Sequence, residues 1–156
     1  MAVERSPLLR RLRAFLRLPR AQQGVFLLCV IAFPLLVGGL RLFSLRRCYA
    51  LLRACSPEAT GLPFTDNRSH TARQLTETVE RAARYGLVRP TCLPRSLLLW
   101  WLLRWNRIPA DLCIGGRLAG GVFAGHAWVE SAGQVLNDTP AVVDRYPLFS
   151  RLNTTR

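Results

Sequence analysis

The first third of the chain places hydrophobic residues at helical spacing and arginines at many of the positions between them. Residues 1–20 predict an amphipathic helix that ends at Pro19, with apolar side chains recurring on one side at Leu8, Leu9, Leu12, Phe15 and Leu16. Helical spacing is also present over residues 41–54, where leucines and Tyr49 form the repeat. We therefore place an arginine-rich N-terminal helical region at residues 1–56.

Residues 21–40 carry no charge, and a stretch of this length is about what a helix needs to cross a bilayer. Glutamines, glycines and Pro34 restrict the fully apolar run to residues 25–37, which is more typical of a buried helix. Arginines flank both ends, so the charges indicate no orientation in a membrane. We expect a core helix or a membrane-surface helix here, and a membrane span is the alternative.

A polar segment separates this region from the rest of the chain. Residues 57–70 are rich in proline, glycine, threonine, aspartate and asparagine, and we interpret them as a linker loop. Helical periodicity returns over residues 71–85, and Gly86 is placed to end that helix. The segment that carries candidate chemistry is therefore assigned to a domain at residues 71–156.

A further helix is predicted to begin at Cys92, with Thr91 as its N-cap and Pro94 in the first turn, where proline is tolerated. Residues 93–105 are apolar on nearly every side, as in a helix buried inside a domain. A thiol at a helix N-terminus faces free backbone amides and the positive end of the helix dipole, and both favour the thiolate. Cys92 is thus a candidate nucleophile.

Three strands are predicted after a break at Pro109, at residues 111–117, 121–130 and 134–138. If residues 131–133 form a hairpin loop, His126 lies directly opposite Asp138. Opposed side chains on paired strands have Cβ atoms ~4.5–5.5 Å apart, which is within hydrogen-bonding reach. Cys92, His126 and Asp138 then provide a thiol nucleophile, a base that takes its proton and a carboxylate that fixes the tautomer of the base.

Charge and cysteine content narrow the class of protein. The chain has 22 basic and 9 acidic residues, a net charge of +13, and every basic residue is arginine. Such an excess fits an anionic partner, but we find no basic stripe interleaved with aromatic residues and no zinc-finger spacing, so no nucleic-acid partner is expected. Five cysteines without C-x-x-C pairs indicate reduced thiols in the cytoplasm, and we assign structural roles to Cys29, Cys48, Cys55 and Cys113.

Four motifs in the second half of the chain carry a resemblance to a known family. They are CLPRSL from Cys92, IPA from Ile108, HAWVE from His126 and VLND from Val135. In this order they resemble the transglutaminase-like cysteine peptidases of lasso-peptide biosynthesis. The chain is similar to the stand-alone protease half of the split B protein in that family, which is related to the microcin-processing B proteins.

The resemblance implies an α+β fold with a papain-like core, in which the nucleophile helix packs on an antiparallel sheet and N-terminal helices precede it. It implies catalytic roles for Cys92, His126 and Asp138, in a reaction that needs no cofactor or metal. The reaction would be hydrolysis of the peptide bond between the leader and the core of a ribosomally made precursor. No glutamine lies just upstream of Cys92 to donate a hydrogen bond to the oxyanion. The backbone amide of Cys92 is therefore the candidate donor.

The partners that the resemblance implies are the precursor peptide, a separate leader-recognition protein and an ATP-using lasso cyclase. The arginine-rich N-terminal helices are the candidate surface for contacting such a partner or a membrane surface. Glycines at 115–116 and 120–121 lack a phosphate-loop pattern and are interpreted as turns. The other polar residues with a potential place near the site are assigned to loops, namely Asp66, His70 and Asp144.

Two other functions fit the same residues. A transglutaminase-type acyl transferase would use the same three side chains and resolve the thioester with an amine instead of water. A non-enzymatic, arginine-rich, membrane-associated protein would use residues 21–40 as its anchor and bury Cys92 as an inert thiol.

Overall fold

The computed structural model describes residues 15–16, 18–57 and 65–153, so most of the helix predicted over residues 1–20 lies outside the described residues. Within these ranges, four long helices precede the strands: α1 at Arg20–Leu42, α2 at Leu45–Ala54, α3 at Asp66–Tyr85 and α4 at Cys92–Trp105. The strands follow: β1 at Asp111–Ala119, β2 at Val122–Ser131, β3 at Gln134–Val135 and, after a short helix α5 at Val142–Arg145, β4 at Leu148–Asn153. The fold is α+β, as predicted.

The four strands form one antiparallel sheet in the order β3-β2-β1-β4. Strands β1 and β2 are joined by a two-residue turn of Gly120 and Gly121, whose φ angles are +58° and +80°. Two consecutive positive φ angles match the twist of paired strands, and glycine adopts them without strain. The turn predicted at this glycine pair is therefore confirmed.

The other glycine pair does not form a turn. Gly115 and Gly116 lie inside β1, where the chain continues without reversing direction. A Cβ atom on Gly115 would lie 2.6 Å from the carbonyl oxygen of Tyr146 and 2.9 Å from that of Pro147. Glycine at this position lets the segment before β4 pass close to β1, where the β1–β4 register shifts between Ile114 and Gly115.

Strand β4 was missing from the prediction, and long-range contacts hold it. The Arg151 guanidinium binds the Asp111 carboxylate of β1 at 3.0 Å and the Glu130 carboxylate of β2 at 2.8 Å. Burial acts to raise the pKa of Glu130, but hydrogen bonds from Trp128 and Arg151 outweigh it and lower that pKa below its ordinary value. The ion pairs therefore tie three strands together on one face of the sheet.

One hydrophobic core joins the helices to the sheet. Phe33 of α1, Val79 of α3, Leu97 of α4 and Leu112 of β1 are buried in the same cluster. Helix α4 is buried on nearly every side, as predicted, because it lies between the other helices and the sheet. Residues on both sides of the predicted linker thus share a core. The division of the chain into two regions at residues 57–70 stays a prediction.

Several helix boundaries differ from the predictions. Helix α3 begins at Asp66, so Asp66 and His70 are helical and were wrongly assigned to a loop. An acidic residue in the first turn interacts favourably with the helix dipole, which suits Asp66 to this position. Asp144 was also wrongly assigned, since it belongs to the single-turn helix α5.

Helix α1 runs through Pro34 and ends only at Leu42, beyond the apolar run expected at residues 25–37. Packing of its buried face against α3 and α4 outweighs the local cost of proline in a helix. Helix α3 ends before Gly86, as predicted. A Cβ atom on Gly86 would lie 2.5 Å from the Ala82 carbonyl oxygen, so glycine is required there by close approach.

Candidate active site

Cys92 is the first residue of α4 and Thr91 is the N-cap residue, as the sequence predicts. The Thr91 side chain makes no capping hydrogen bond, so the partial positive charge at the start of α4 comes from backbone N–H groups. Amides of the first turn have no acceptor within the helix and carry the positive end of its dipole. Cys92 is half-buried and its thiol is free, so it lies at an electropositive position that a substrate can reach.

The other cysteines occupy different environments. Burial raises the pKa of Cys29 to about 12. Burial first, and then the Glu130 carboxylate, raise the pKa of Cys113 to about 12. Cys48 is also buried, whereas Cys55 is exposed at the end of α2. Thiols with pKa values this high remain protonated near neutral pH and are poor nucleophiles.

His126 on β2 contacts Asp138, as expected from the sequence. The ring Nε2 lies 2.5 Å from Asp138 Oδ2, and the backbone N–H of Thr139 donates to Oδ1 at 2.7 Å. Partial burial acts to raise the pKa of Asp138, but the hydrogen bonds from His126 and Thr139 outweigh it, and the pKa lies below its ordinary value. Asp138 is therefore a carboxylate near neutral pH and is positioned to orient the imidazole.

The hairpin register that predicted this contact is wrong by one residue. Ala132 and Gly133 form a two-residue turn with φ angles of +48° and +75°, so Ser131 pairs with Gln134 and Glu130 pairs with Val135. A tight turn with two positive φ angles fits the strand twist better than the three-residue loop we expected. Strand β3 then ends, and Asp138 reaches His126 from a segment that has left the sheet.

A hydrogen-bond network holds that segment against β2 and α4. Asn137 accepts from the Val129 N–H at 2.8 Å and donates through Nδ2 to Ser96 Oγ at 2.8 Å. The Ser96 hydroxyl, fully buried, donates to the Ala127 carbonyl oxygen at 2.9 Å. Because Ala127 follows His126 and Asn137 precedes Asp138, this network fixes the positions of both site residues.

Aromatic contacts orient the histidine from the other side. The Tyr146 ring is stacked on His126 with centroids 4.7 Å apart and planes 24° apart, and the Trp128 ring lies 6.3 Å away. The Arg117 guanidinium lies over the Tyr146 ring, 5.3 Å from its centroid. The imidazole plane is thus set by packing as well as by Asp138.

The structure brings together two of the three predicted site residues directly. Among the described residues, the Cys92 Sγ makes no hydrogen bond to the His126 ring, and the two are related through Ser96. Cys92 and Ser96 are four residues apart and lie on the same side of α4. Ser96 contacts β2 next to His126, so one turn of α4 separates Cys92 from this contact.

Sequence reasoning did not find Ser96 or Tyr146. A buried serine one turn after the candidate nucleophile, in an otherwise apolar helix, is the signal that would have identified Ser96. Tyr146 carries no local signal, because it reaches His126 only through the close approach that Gly115 permits. Within the part of the chain that the structure describes, no cluster of three or more metal-binding side chains is present.

Comparison with known proteins places this sequence in a family. Residues 31–150 match the family model of the transglutaminase-like superfamily. The chain belongs to the transglutaminase-like superfamily. This transglutaminase-like chain is also a distant homologue of the Microcin J25-processing protein McjB of Escherichia coli, with 30% identity over 89 residues. The alignment covers 57% of the chain and 42% of the relative's own length. No solved structure gives a significant match.

Proposed function

We propose that this transglutaminase-like protein is a cysteine peptidase that removes the leader peptide from a lasso-peptide precursor. The observation that carries the proposal is the hydrogen bond between His126 Nε2 and the Asp138 carboxylate, next to the helix that begins at Cys92. Homology to a microcin-processing protein supports a precursor peptide as the substrate.

The chemistry follows from which imidazole nitrogen is engaged. Nε2 of His126 is bound to Asp138, so Nδ1 is the nitrogen that accepts the Cys92 thiol proton. The thiolate attacks the carbonyl carbon of the bond between leader and core. The C–N bond then breaks, the imidazolium gives its proton to the departing core amine, and the leader remains on Cys92 as a thioester.

Water completes the reaction. His126 takes a proton from the water as it attacks the thioester carbonyl, the C–S bond breaks, and the leader leaves with a free carboxyl group. Asp138, already a carboxylate, stabilises the imidazolium in both halves of the cycle. The backbone N–H of Cys92, in the first turn of α4, is the donor available to the oxyanion.

In this pathway Cys92 and His126 must approach each other when the substrate binds. Catalytic hydrogen bonds in unliganded enzymes are often longer than in the substrate complex. The Ser96 hydroxyl already holds α4 against Ala127, the residue after His126.

The proposal includes partners that act with this chain. A separate recognition protein would bind the leader, and a cyclase would join the freed core amine to an acidic side chain of the core. Tethering the leader next to Cys92 raises the effective concentration of the scissile bond. Addition of the recognition protein is therefore expected to stimulate cleavage strongly.

The direct test is cleavage of a precursor by the purified protein with its recognition protein, followed by mass spectrometry of both products. Cys92→Ala should abolish cleavage, whereas Cys55→Ala, which removes an exposed thiol, should cleave at the wild-type rate. Comparable cleavage by Cys92→Ala would overturn the thiol mechanism. A leader product that gains the mass of an added amine would instead favour acyl transfer by the same residues.

A further inference from the structure

Helix α1 presents a hydrophobic face to the outside of the protein. The most exposed apolar residues of this helix are Leu27, Ile31, Leu35 and Leu42, which are 51%, 62%, 70% and 79% exposed. Together with Gly24, Leu28 and Gly38 they fall within an arc of about 100° around the helix axis. We call these seven residues the outer face of α1.

The opposite side of the same helix is also apolar. Phe26, Cys29 and Phe33 are buried in the core together with residues of α3 and α4. A surface helix of a soluble protein normally carries charged or polar residues opposite its buried side. Helix α1 carries no charged residue between Arg20 and Arg41, so its outer face requires an apolar partner.

Charged residues that neighbour the outer face along the chain all have the same sign. Between Glu4 and Glu58 the chain contains no acidic residue, and every charged side chain in this interval is an arginine. Arg20 lies at one end of α1 and Arg41 at the other, and Arg46 and Arg47 are exposed at the start of α2. The outer face is thus an apolar strip with positive charges at both of its ends.

We propose that the outer face of α1 binds the surface of an anionic lipid bilayer. An apolar strip between arginines buries its side chains at the boundary of headgroups and acyl chains, while the guanidinium groups pair with lipid phosphates. A second copy of this chain fits less well, because its own arginines would meet these arginines across the interface. This binding is a property separate from the proposed peptidase reaction.

The packing of α1 favours binding along the surface over a membrane span. By length and composition Gln22–Leu42 is sufficient to cross a bilayer, and 17% of its most apolar stretch is buried. Phe26 and Phe33, however, belong to the same core as Leu97 of α4 and Val79 of α3. A span would have to pull these aromatic side chains out of the core, whereas a helix lying in the plane of the interface keeps them there.

Vesicle flotation with the full-length protein tests the proposal. The wild-type protein should float with vesicles that contain phosphatidylglycerol and remain mostly unbound with vesicles of phosphatidylcholine alone, with binding that weakens as salt increases. The double variant Ile31→Asp and Leu35→Asp should reduce binding by about tenfold or more, because two anchoring side chains are lost and two negative charges are added.

A matched control keeps the test specific to α1. Leu118 and Val122, near the β1–β2 turn, are 76% and 70% exposed, so the variant Leu118→Asp and Val122→Asp makes the same chemical change elsewhere. It should float like the wild type, and circular dichroism should show both variants folded. The proposal is overturned if the α1 variant, shown to be folded, floats as well as the control. It is also overturned if the wild type floats with neither kind of vesicle and instead forms a dimer that the α1 variant does not form.

Discussion

Asn137 Nδ2 donates a hydrogen bond to Ser96 Oγ at 2.8 Å, across 41 residues of sequence. Ser96 lies one turn after Cys92, and Asn137 lies immediately before Asp138. The same Ser96 hydroxyl donates to the carbonyl of Ala127, the residue after His126. The Ser96 hydroxyl therefore links the segments that carry all three proposed catalytic residues.

Removing the Ser96 hydroxyl should separate these segments slightly. Ser96→Ala leaves the Asn137 amide and the Ala127 carbonyl without their partner, which is expected to cost about 1–3 kcal/mol of unfolding free energy. If Ser96 is a positioning residue, kcat for precursor cleavage should fall by about tenfold or more while KM changes little. Urea unfolding and steady-state kinetics measure the two effects.

Thr76→Val is a suitable control for this variant. It also removes a buried hydroxyl, but one that donates to Ala72 within α3, away from the site. The control should keep its kcat. An equal fall in kcat in both variants would assign the Ser96 effect to general destabilisation.

Asp138→Asn should retain the fold and lose most of the activity. An amide at this position no longer stabilises the imidazolium and favours the wrong tautomer of His126, which we expect to lower kcat by at least about two orders of magnitude. Binding of the precursor should be nearly unchanged. Asp144→Asn, an exposed carboxylate in α5, should behave as the wild type, and a small effect of Asp138→Asn would mean that another group orients His126.

The lowered pKa of Asp138 predicts how stability depends on pH. A carboxyl group whose pKa is lower in the folded state stabilises the fold fully above its unfolded-state pKa of about 3.9. That contribution is lost as the pH falls through the lower folded-state pKa, because the proton must then enter the His126 contact. Urea unfolding between about pH 6 and about pH 2 should show a smaller acid-induced loss in Asp138→Asn than in wild type. Equal losses would contradict the pKa assignment.

Gly115→Ala tests the close approach that brings Tyr146 to His126. The new methyl group would lie 2.6 Å from the Tyr146 carbonyl oxygen, so backbone must move, at a cost of about 1–3 kcal/mol. The movement should also disturb the stacking of Tyr146 on His126 and lower kcat. Gly24→Ala in α1 is the control, because no atom lies within 4 Å of the position that its Cβ would take. Alanine there should stabilise α1 by about 0.5–1 kcal/mol. A stable, fully active Gly115→Ala would show that the approach is not required.

The sequence by itself determined the elements whose signals are local. The helix start at Cys92, with threonine before it and proline in its first turn, follows from the backbone conformations these residues favour. The apolar character of α4 likewise predicted its burial, and the glycines at 120–121 predicted a turn. The pairing of His126 with Asp138 was also found, although through a register that is wrong by one residue.

Only the tertiary structure decided the features that depend on distant residues. Nothing near Leu148–Asn153 predicts a strand, because β4 is held by pairing with β1 and by the ion pairs of Arg151. The roles of Gly115 and Tyr146 depend on two segments about thirty residues apart in sequence passing within contact distance. Hydrophobic periodicity indicates which side of a helix or strand is buried. The contacts of β4, Gly115 and Tyr146 depend instead on which elements lie next to each other, and packing of the whole core determines that arrangement.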